Sequence, residues 1–194
     1  LLFGMYLLKE KWQITLEAAH FNHHLRGDES NRDEAFVRDF CQRYDIPLHI
    51  GGGEVVSGKK GLEAAARDAR YTFLKALPGK IATAHTADDN LETVIFNLTR
   101  GSSSAGLCGI PIKRDIFVRP LLFCTREQIE EYCKEKSIDF VTDSTNLTDE
   151  YVRNKIRHNV IPVLKSINPS VEKAVLRTTA SLKEDSDLLN TLAE

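Results

Sequence analysis

The chain has 194 residues, 42% of them apolar, enough for one substantial core or a core with a small appendage. Its 26 Lys and Arg against 28 Asp and Glu give a net charge of −2, which argues against a stand-alone nucleic-acid binder. Four scattered cysteines (Cys41, Cys108, Cys124, Cys133) form no CxxC pair, so a reduced, cytoplasmic protein is expected, and no apolar run reaches membrane-spanning length. Any RNA would have to be met by local basic patches or by a partner domain. Leu1 to Leu8 reads as neither a signal peptide nor a natural start, so the chain is expected to be a fragment.

Leu1 to Trp12 is apolar and helix-like, and Thr15 to Asn22 reads as a buried strand running into a polar loop. Asp28 to Tyr44 is an amphipathic helix with Phe36, Val37 and Phe40 as its apolar stripe. Pro47 to Ile50 is a short strand, and Gly51 to Gly61 a Gly- and Lys-rich connector. Helical spacing returns in Leu62, Ala65, Ala66, Ala69, Phe73 and Leu77. Lys80 to His85 is the next buried strand, a helix follows from Ala87 to Leu98, and Ile116 to Arg119 is a strand. Thr125 opens a helix with a capping-box pattern completed by Gln128. This alternation predicts an α/β fold with a doubly wound parallel sheet over 1–142, and a helical extension over 143–194. Asn168-Pro169 reads as the start of the last helix, Val171 to Ala193. The poorly anchored stretches Gly51–Lys60 and Ser102–Ala105 are expected to be the least ordered.

The strongest chemical signal is His85-Thr-Ala-Asp88-Asp89-Asn-Leu-Glu92-Thr93, directly after a buried strand. On a helix, His85, Asp88, Asp89 and Glu92 fall within an arc of about 100°, with Ala87, Leu91, Val94 and Leu98 facing away toward a sheet. Crowded carboxylates repel unless a cation, an ammonium group or arginines neutralise them. An acidic first turn that complements the helix dipole accounts for one or two of them, but not for the His and Glu aligned behind. A cation or amine site is the better reading. Open α/β sheets bind ligands at this end of their strands.

His20-Phe-Asn22-His23-His24-Leu-Arg26-Gly27 also lies at a strand's carboxyl end. Its spacing fits no common zinc pattern, which leaves a nucleotide-edge site and a plain polar turn equally open. Arg67 and Arg70 stand one turn apart, suited to phosphate, although an ordinary solvated face bridged by Glu63–Arg67 is the simpler reading. Tyr151-Val-Arg153-Asn154-Lys155-Ile-Arg157-His158 is the densest basic patch, a phosphate- or RNA-facing segment or an ordinary basic face.

Seven stretches in order resemble the tRNA(Ile)-lysidine synthases, a family of the PP-loop (N-type) ATP pyrophosphatase superfamily. They are His20–Gly27, Glu63–Tyr71, Thr83–Thr93, Arg100-Gly101, Arg119–Leu122, Asp143–Asn146 and Arg153–Arg157. The resemblance runs from Leu1 to about Pro169 and implies a reaction that the residues alone do not. ATP would adenylate the C2 carbonyl oxygen of the wobble cytidine in an isoleucine tRNA with a CAU anticodon, releasing pyrophosphate. The side-chain amine of free lysine would then displace AMP.

By the same resemblance His85, Asp89 and Glu92 would bind lysine, while His20, Asn22, His23 and Arg26 would line the ATP pocket. Arg67 or Arg70 would stabilise phosphate charge during adenylation. Arg119, Asp143, Asn146, Arg153, Asn154 and Arg157 would form the nucleotide or RNA pocket. Asp88 stays open between supporting the loop and holding Mg2+. A homodimer is allowed, and no membrane is implied.

The family's SGGxDS loop would sit just before Leu1 and its tRNA-binding domains after the last helix, so the chain alone is expected to be inactive. Thr86 and Asn90 stand where many relatives carry His and Gln, and Ser103 where Gly is usual. The rival readings are a PP-loop tRNA sulfur-transferase, for which Cys124 and Cys133 are wrongly spaced, and a non-catalytic nucleotide- or RNA-binding module.

Overall fold

The computed structural model describes residues 1–25, 27–53, 62–141 and 152–193. Two compact units divide the chain, Leu1–Ile81 and Ala82–Glu194. The boundary expected at 142/143 lies outside the described residues, as do residues 54–61 of the Gly-rich connector.

The first unit runs α1 (Leu2–Trp12), β1 (Ala18–Asn22), α2 (Asp28–Arg43), β2 (Leu48–Gly52) and α3 (Leu62–Lys75). β1 and β2 are parallel, paired from Ala18 opposite Leu48 to Asn22 opposite Gly52. Parallel neighbours need a crossover, and α2 supplies it. Ala18, Cys41 and Ile46 form the buried centre, with Val37 and Phe40 of the expected α2 stripe packed on it. Tyr44 joins the helices, its ring 4.7 Å from Phe40, 5.1 Å from Tyr6 and 5.5 Å from Phe3. Gly51 has to be glycine because the Phe73 ring lies where a Cβ would stand, 2.6 Å away.

β3 (Ile81–Ala82) leads into the second unit, which continues with α4 (Ala87–Thr99), α5 (Ser104–Leu107), β4 (Lys113–Arg114), β5 (Phe117–Val118) and α6 (Arg126–Glu135). Then come α7 (Val152–Lys155), a π-helical turn (Ile156–Val160), α8 (Ile161–Ile167) and α9 (Val171–Ala193). The expected strands are shorter than the sequence suggests. β5 lies between β3 and β4, and its partner β4, antiparallel to it, was not anticipated.

The expected packing of α4 on a sheet needs correction. Leu91, 1% exposed, packs with Ile156 and Ile161, and Ile95, Phe96, Val171 and Val175 close the cluster. Helices therefore cover α4, and Leu98 is left 64% exposed. Part of the supposedly loose 102–105 segment is the helical turn α5, tied down by Asn97, whose Nδ2 donates to the Gly106 carbonyl at 2.7 Å. The capping box at Thr125 forms as expected, Thr125 and Gln128 each accepting the other's backbone N–H. Before α9, Asn168 Oδ1 accepts from the Ser170 N–H at 3.0 Å. Among the described residues no helix is long and apolar enough to cross a membrane.

Asn90 is 1% exposed, and its Oδ1 accepts from the Ile110 N–H at 2.7 Å. The turn before Ile110 needs glycine twice over. Gly109 has φ +70°, and a Cβ there would stand 2.3 Å from that same Asn90 oxygen. Gly109→Ala is expected to cost about 1–3 kcal/mol, read as a lower urea midpoint with an unchanged slope. An unaltered midpoint would show that the turn relaxes freely.

Candidate active site

α4 starts with a reciprocal cap. Thr86 Oγ1 accepts from the Asp89 N–H at 3.3 Å, while Asp89 Oδ2 accepts from the Thr86 N–H at 2.8 Å and from its hydroxyl at 2.9 Å. Ala87 gives its N–H to the Cys124 carbonyl at 2.9 Å, and Asp88 Oδ2 accepts from the Arg126 N–H at 2.7 Å. The N-termini of α4 and α6 are thus stitched together, each filling donors that a helix start leaves unpaired. His85 lies just outside the helix, with Nδ1 2.9 Å from Thr83 Oγ1.

Glu92 faces inward, not into solvent. Its side chain is 3% exposed, and both oxygens meet Arg157, Oε1 at 2.6 Å from Nε and Oε2 at 3.0 Å from the second amino group. That amino group is 3.8 Å from Asp89 Oδ1. Burial opposes the charge on Arg157, but the hydrogen bonds and charge of Glu92, helped by Asp89 and Asp88, raise its pKa overall. Arg157 reaches this position from the π-helical turn, where Ile161 N–H returns to the Ile156 carbonyl. Five-residue spacing keeps Ile156 and Ile161 together in the core. Arginine is therefore one neutralising group for the acidic face.

Both oxygens of Asp88 lie near nitrogen groups of the chain. One oxygen is taken by Arg126, and the other lies 3.8 Å from Lys165 Nζ. Lys165 also pairs with the buried Glu172, whose hydrogen bond and charge raise the lysine pKa. Among the described residues no group of three or more His, Cys, Asp or Glu is placed to hold a metal.

Arg119, expected in the nucleotide or RNA pocket, is 6% exposed and donates to the Pro111 carbonyl at 2.6 Å. It buttresses a turn there. Asn154 is buried on α7, and Arg153 beside it is half-buried. Asp143 and Asn146 lie outside the described residues.

In the first unit, Asn22 is a latch. It is 3% exposed, its Oδ1 accepts from the His24 N–H at 2.8 Å, and its Nδ2 donates to Ser30 O at 3.3 Å and Glu34 at 3.0 Å. Its amide is engaged in the turn, where His24 adopts φ 53°. Glu34 also binds Arg38, and the Asn22 bond foremost lowers its pKa. His20 and His23 are both held below the ordinary histidine value of 6.5, chiefly by burial. The Arg70 charge lowers His23 further, which puts those two groups near one another. His23 Nδ1 is buried with no hydrogen-bond partner among the described residues, and its ring lies 4.8 Å from Phe21. Arg67 and Arg70 sit over the Tyr71 ring at 5.3 and 5.9 Å. Arg26 and the Glu63 side chain lie outside what is described.

Residues 1–164 match the PP-loop domain family. The chain belongs to that family. Among curated proteins it is similar to the tRNA(Ile)-lysidine synthase of Bacteroides thetaiotaomicron, 46% identical over 90% of this chain and 43% of that protein. Enzymes of the same name from Porphyromonas gingivalis (44% identical; 86% of the chain, 39% of the protein) and a Thermotoga species (42%; 85% and 42%) are also similar. The chain therefore spans less than half the length of these relatives.

Among solved structures, the U34-tRNA thiolase NcsA of Methanococcus maripaludis, with its [4Fe-4S] cluster, superposes with a TM-score of 0.74. It is 17% identical, over 94% of this chain and 68% of that one. That likeness establishes the α/β PP-loop fold, a fold of ATP-using domains with parallel strands and a helical C-terminal region.

Within this PP-loop domain several supporting residues escaped the sequence reading. Thr86-x-x-Asp89 has the spacing of a capping box with Asp in place of Glu or Gln, so a signal was present. Lys165, Glu172 and Glu34 had none, because their partners are distant in sequence.

The depressed histidines predict a pH effect. As pH falls below 6.5 the unfolded chain takes up protons before folded His20 and His23 do, so stability is lost down through their lowered folded values. Urea unfolding between pH 7.5 and 5.5 should show this decline, and His20→Gln/His23→Gln should flatten it. Equal slopes for both proteins would exclude these two groups.

Proposed function

We propose that this PP-loop domain is the catalytic part of a tRNA(Ile)-lysidine synthase. ATP adenylates the C2 carbonyl oxygen of the wobble cytidine in an isoleucine tRNA with a CAU anticodon. The oxygen attacks the α-phosphorus and pyrophosphate leaves. The side-chain amine of free lysine, having lost a proton, then attacks C2, and AMP departs with that oxygen. Relatives bearing this enzyme's name, at 35–46% identity, support the reading.

The observation that carries it is the arrangement around α4. Asp89 and Glu92 stand at the helix start with one guanidinium between them, which leaves an excess negative charge suited to an ammonium group. His85 beside them is our choice for contact with the incoming amine. His20 and His23, with Arg26, form the nucleotide pocket on this reading, and Asn22 holds the turn that carries them. Arg67 and Arg70 stabilise the phosphate charge of adenylation. Arg153, Asn154 and Arg157, with Asp143 and Asn146, border the cytidine, and Arg119 acts through the turn it supports. A cytoplasmic location and an RNA partner follow from the same proposal.

The test is incorporation of radiolabelled lysine into unmodified isoleucine tRNA by full-length protein carrying this chain. ATP-dependent incorporation is expected, and Asp89→Asn should lower it at least about a hundredfold, the size of losing one charge-assisted contact in a closed site. Tight RNA binding without incorporation would replace this reading with a binding module. Sulfur transfer to tRNA in place of lysine would favour the thiolase-like alternative.

A further inference from the structure

The turn after β1 is shaped by one buried amide. Asn22 Oδ1 accepts from the His24 N–H at 2.8 Å, and Asn22 Nδ2 donates to Glu34 Oε2, on α2, at 3.0 Å. An amide has one accepting and one donating end. A reversed Asn22 would set its oxygen against a carboxylate and its NH2 against an N–H. Glu34 therefore decides which way the amide points. The Ser30 carbonyl favours the same orientation, but at 3.3 Å and without charge, and a charge-assisted bond is roughly twice as strong as a neutral one. The Asn22 bond is also the main cause of the lowered Glu34 pKa, so Glu34 is a pure acceptor at neutral pH. The turn has little slack elsewhere. Both His24 Nε2 and the Asn22 carbonyl oxygen stand 3.2 Å from where a Cβ on Gly52 would be.

Resting on the reading that His20 and His23 border the nucleotide, we infer that Glu34 is a positioning residue for ATP. It acts through Asn22: by fixing that amide it holds the backbone at His23 and His24, and with it the His23 ring beside Phe21. Arg38 is not needed for this. It binds the other Glu34 oxygen at 3.0 and 2.7 Å from a side chain 57% exposed, and can swing into water.

Lysine incorporation by full-length protein carrying this chain is measured with ATP, lysine and tRNA varied in turn. Glu34→Ala and Glu34→Asp, the second drawing the acceptor back by one methylene, should each raise the KM for ATP about tenfold or more. Their kcat and their KM for lysine should stay within about threefold of the parent protein. Glu34→Gln keeps an acceptor at the same reach and should bring the ATP KM back to within about threefold of the parent. Arg38→Ala should leave it unchanged. A merely structural role would lower the active fraction, and so kcat, without singling out ATP or being rescued by Gln.

A parental ATP KM in Glu34→Asp, or a Glu34→Gln as weak as Glu34→Asp, overturns the inference. If Glu34→Ala does not fold, the Asp and Gln variants decide. Parent protein that incorporates no lysine overturns the proposed function instead. Dialysis of labelled ATP against the same proteins then still reads the inference, which expects the same order of Kd values. Parent protein that binds no ATP overturns both.

Discussion

A carboxylate as buried as that of Glu92 cannot stay ionised without a partner, and Arg157 is that partner. Such pairs add little stability over apolar replacements, but breaking one by removing a single member costs about 3–5 kcal/mol. Their geometry therefore tends to be kept. Here the pair joins α4 to the π-helical turn beside the Leu91, Ile156 and Ile161 cluster, so charge and apolar packing fix the same two elements. An ordinary helical turn would rotate Ile161 away from Ile156, and the extra residue prevents it. Arg157 is carried into place by the residue spacing that preserves the core.

The carboxylates at the start of α4 look alike in sequence and differ in task. Asp88 locks the start of α6, Asp89 closes the cap of its own helix with one oxygen, and Glu92 binds Arg157. Each assignment follows from which donors a helix start leaves unpaired and which charges burial leaves unbalanced. A helix-dipole account explains the acid-rich first turn, and it is correct for two of the three residues. What it does not account for is the second oxygen of Asp89, which lies 3.8 Å from the Arg157 guanidinium.

The order of strands and helices was legible because apolar periodicity reports local structure directly. α2, α3, α4 and α9 begin within a few residues of where the sequence puts them. Failures came where distant residues decide. β4 is two charged residues that become a strand only by pairing with β5, and α4 turned toward helices because α7 to α9 fold over Leu91. The partners of Asn22 were not legible either, since an Asn in a polar loop gives no sign that Ser30 and Glu34 will take its amide. The acidic face was visible from its spacing, and its guanidinium was not, because 65 residues separate Glu92 from Arg157.

The two units divide the chemistry of the proposed reaction by charge. Near neutral pH, burial keeps His20 and His23 uncharged, so their rings can meet a base edge but add no attraction for phosphate. On the proposed reading that attraction is left to Arg67 and Arg70, whose guanidinium groups rest on Tyr71. Charging either histidine would also cost the energy of desolvation, and charging His23 would oppose the nearby Arg70. In the second unit the order is reversed. There buried Glu92 is neutralised by Arg157, and on the proposed reading the lysine ammonium must later give up its proton. A site of greater negative charge would hold the ammonium more tightly and make that proton harder to lose. On the proposed reading, pairing Glu92 with Arg157 therefore eases that loss.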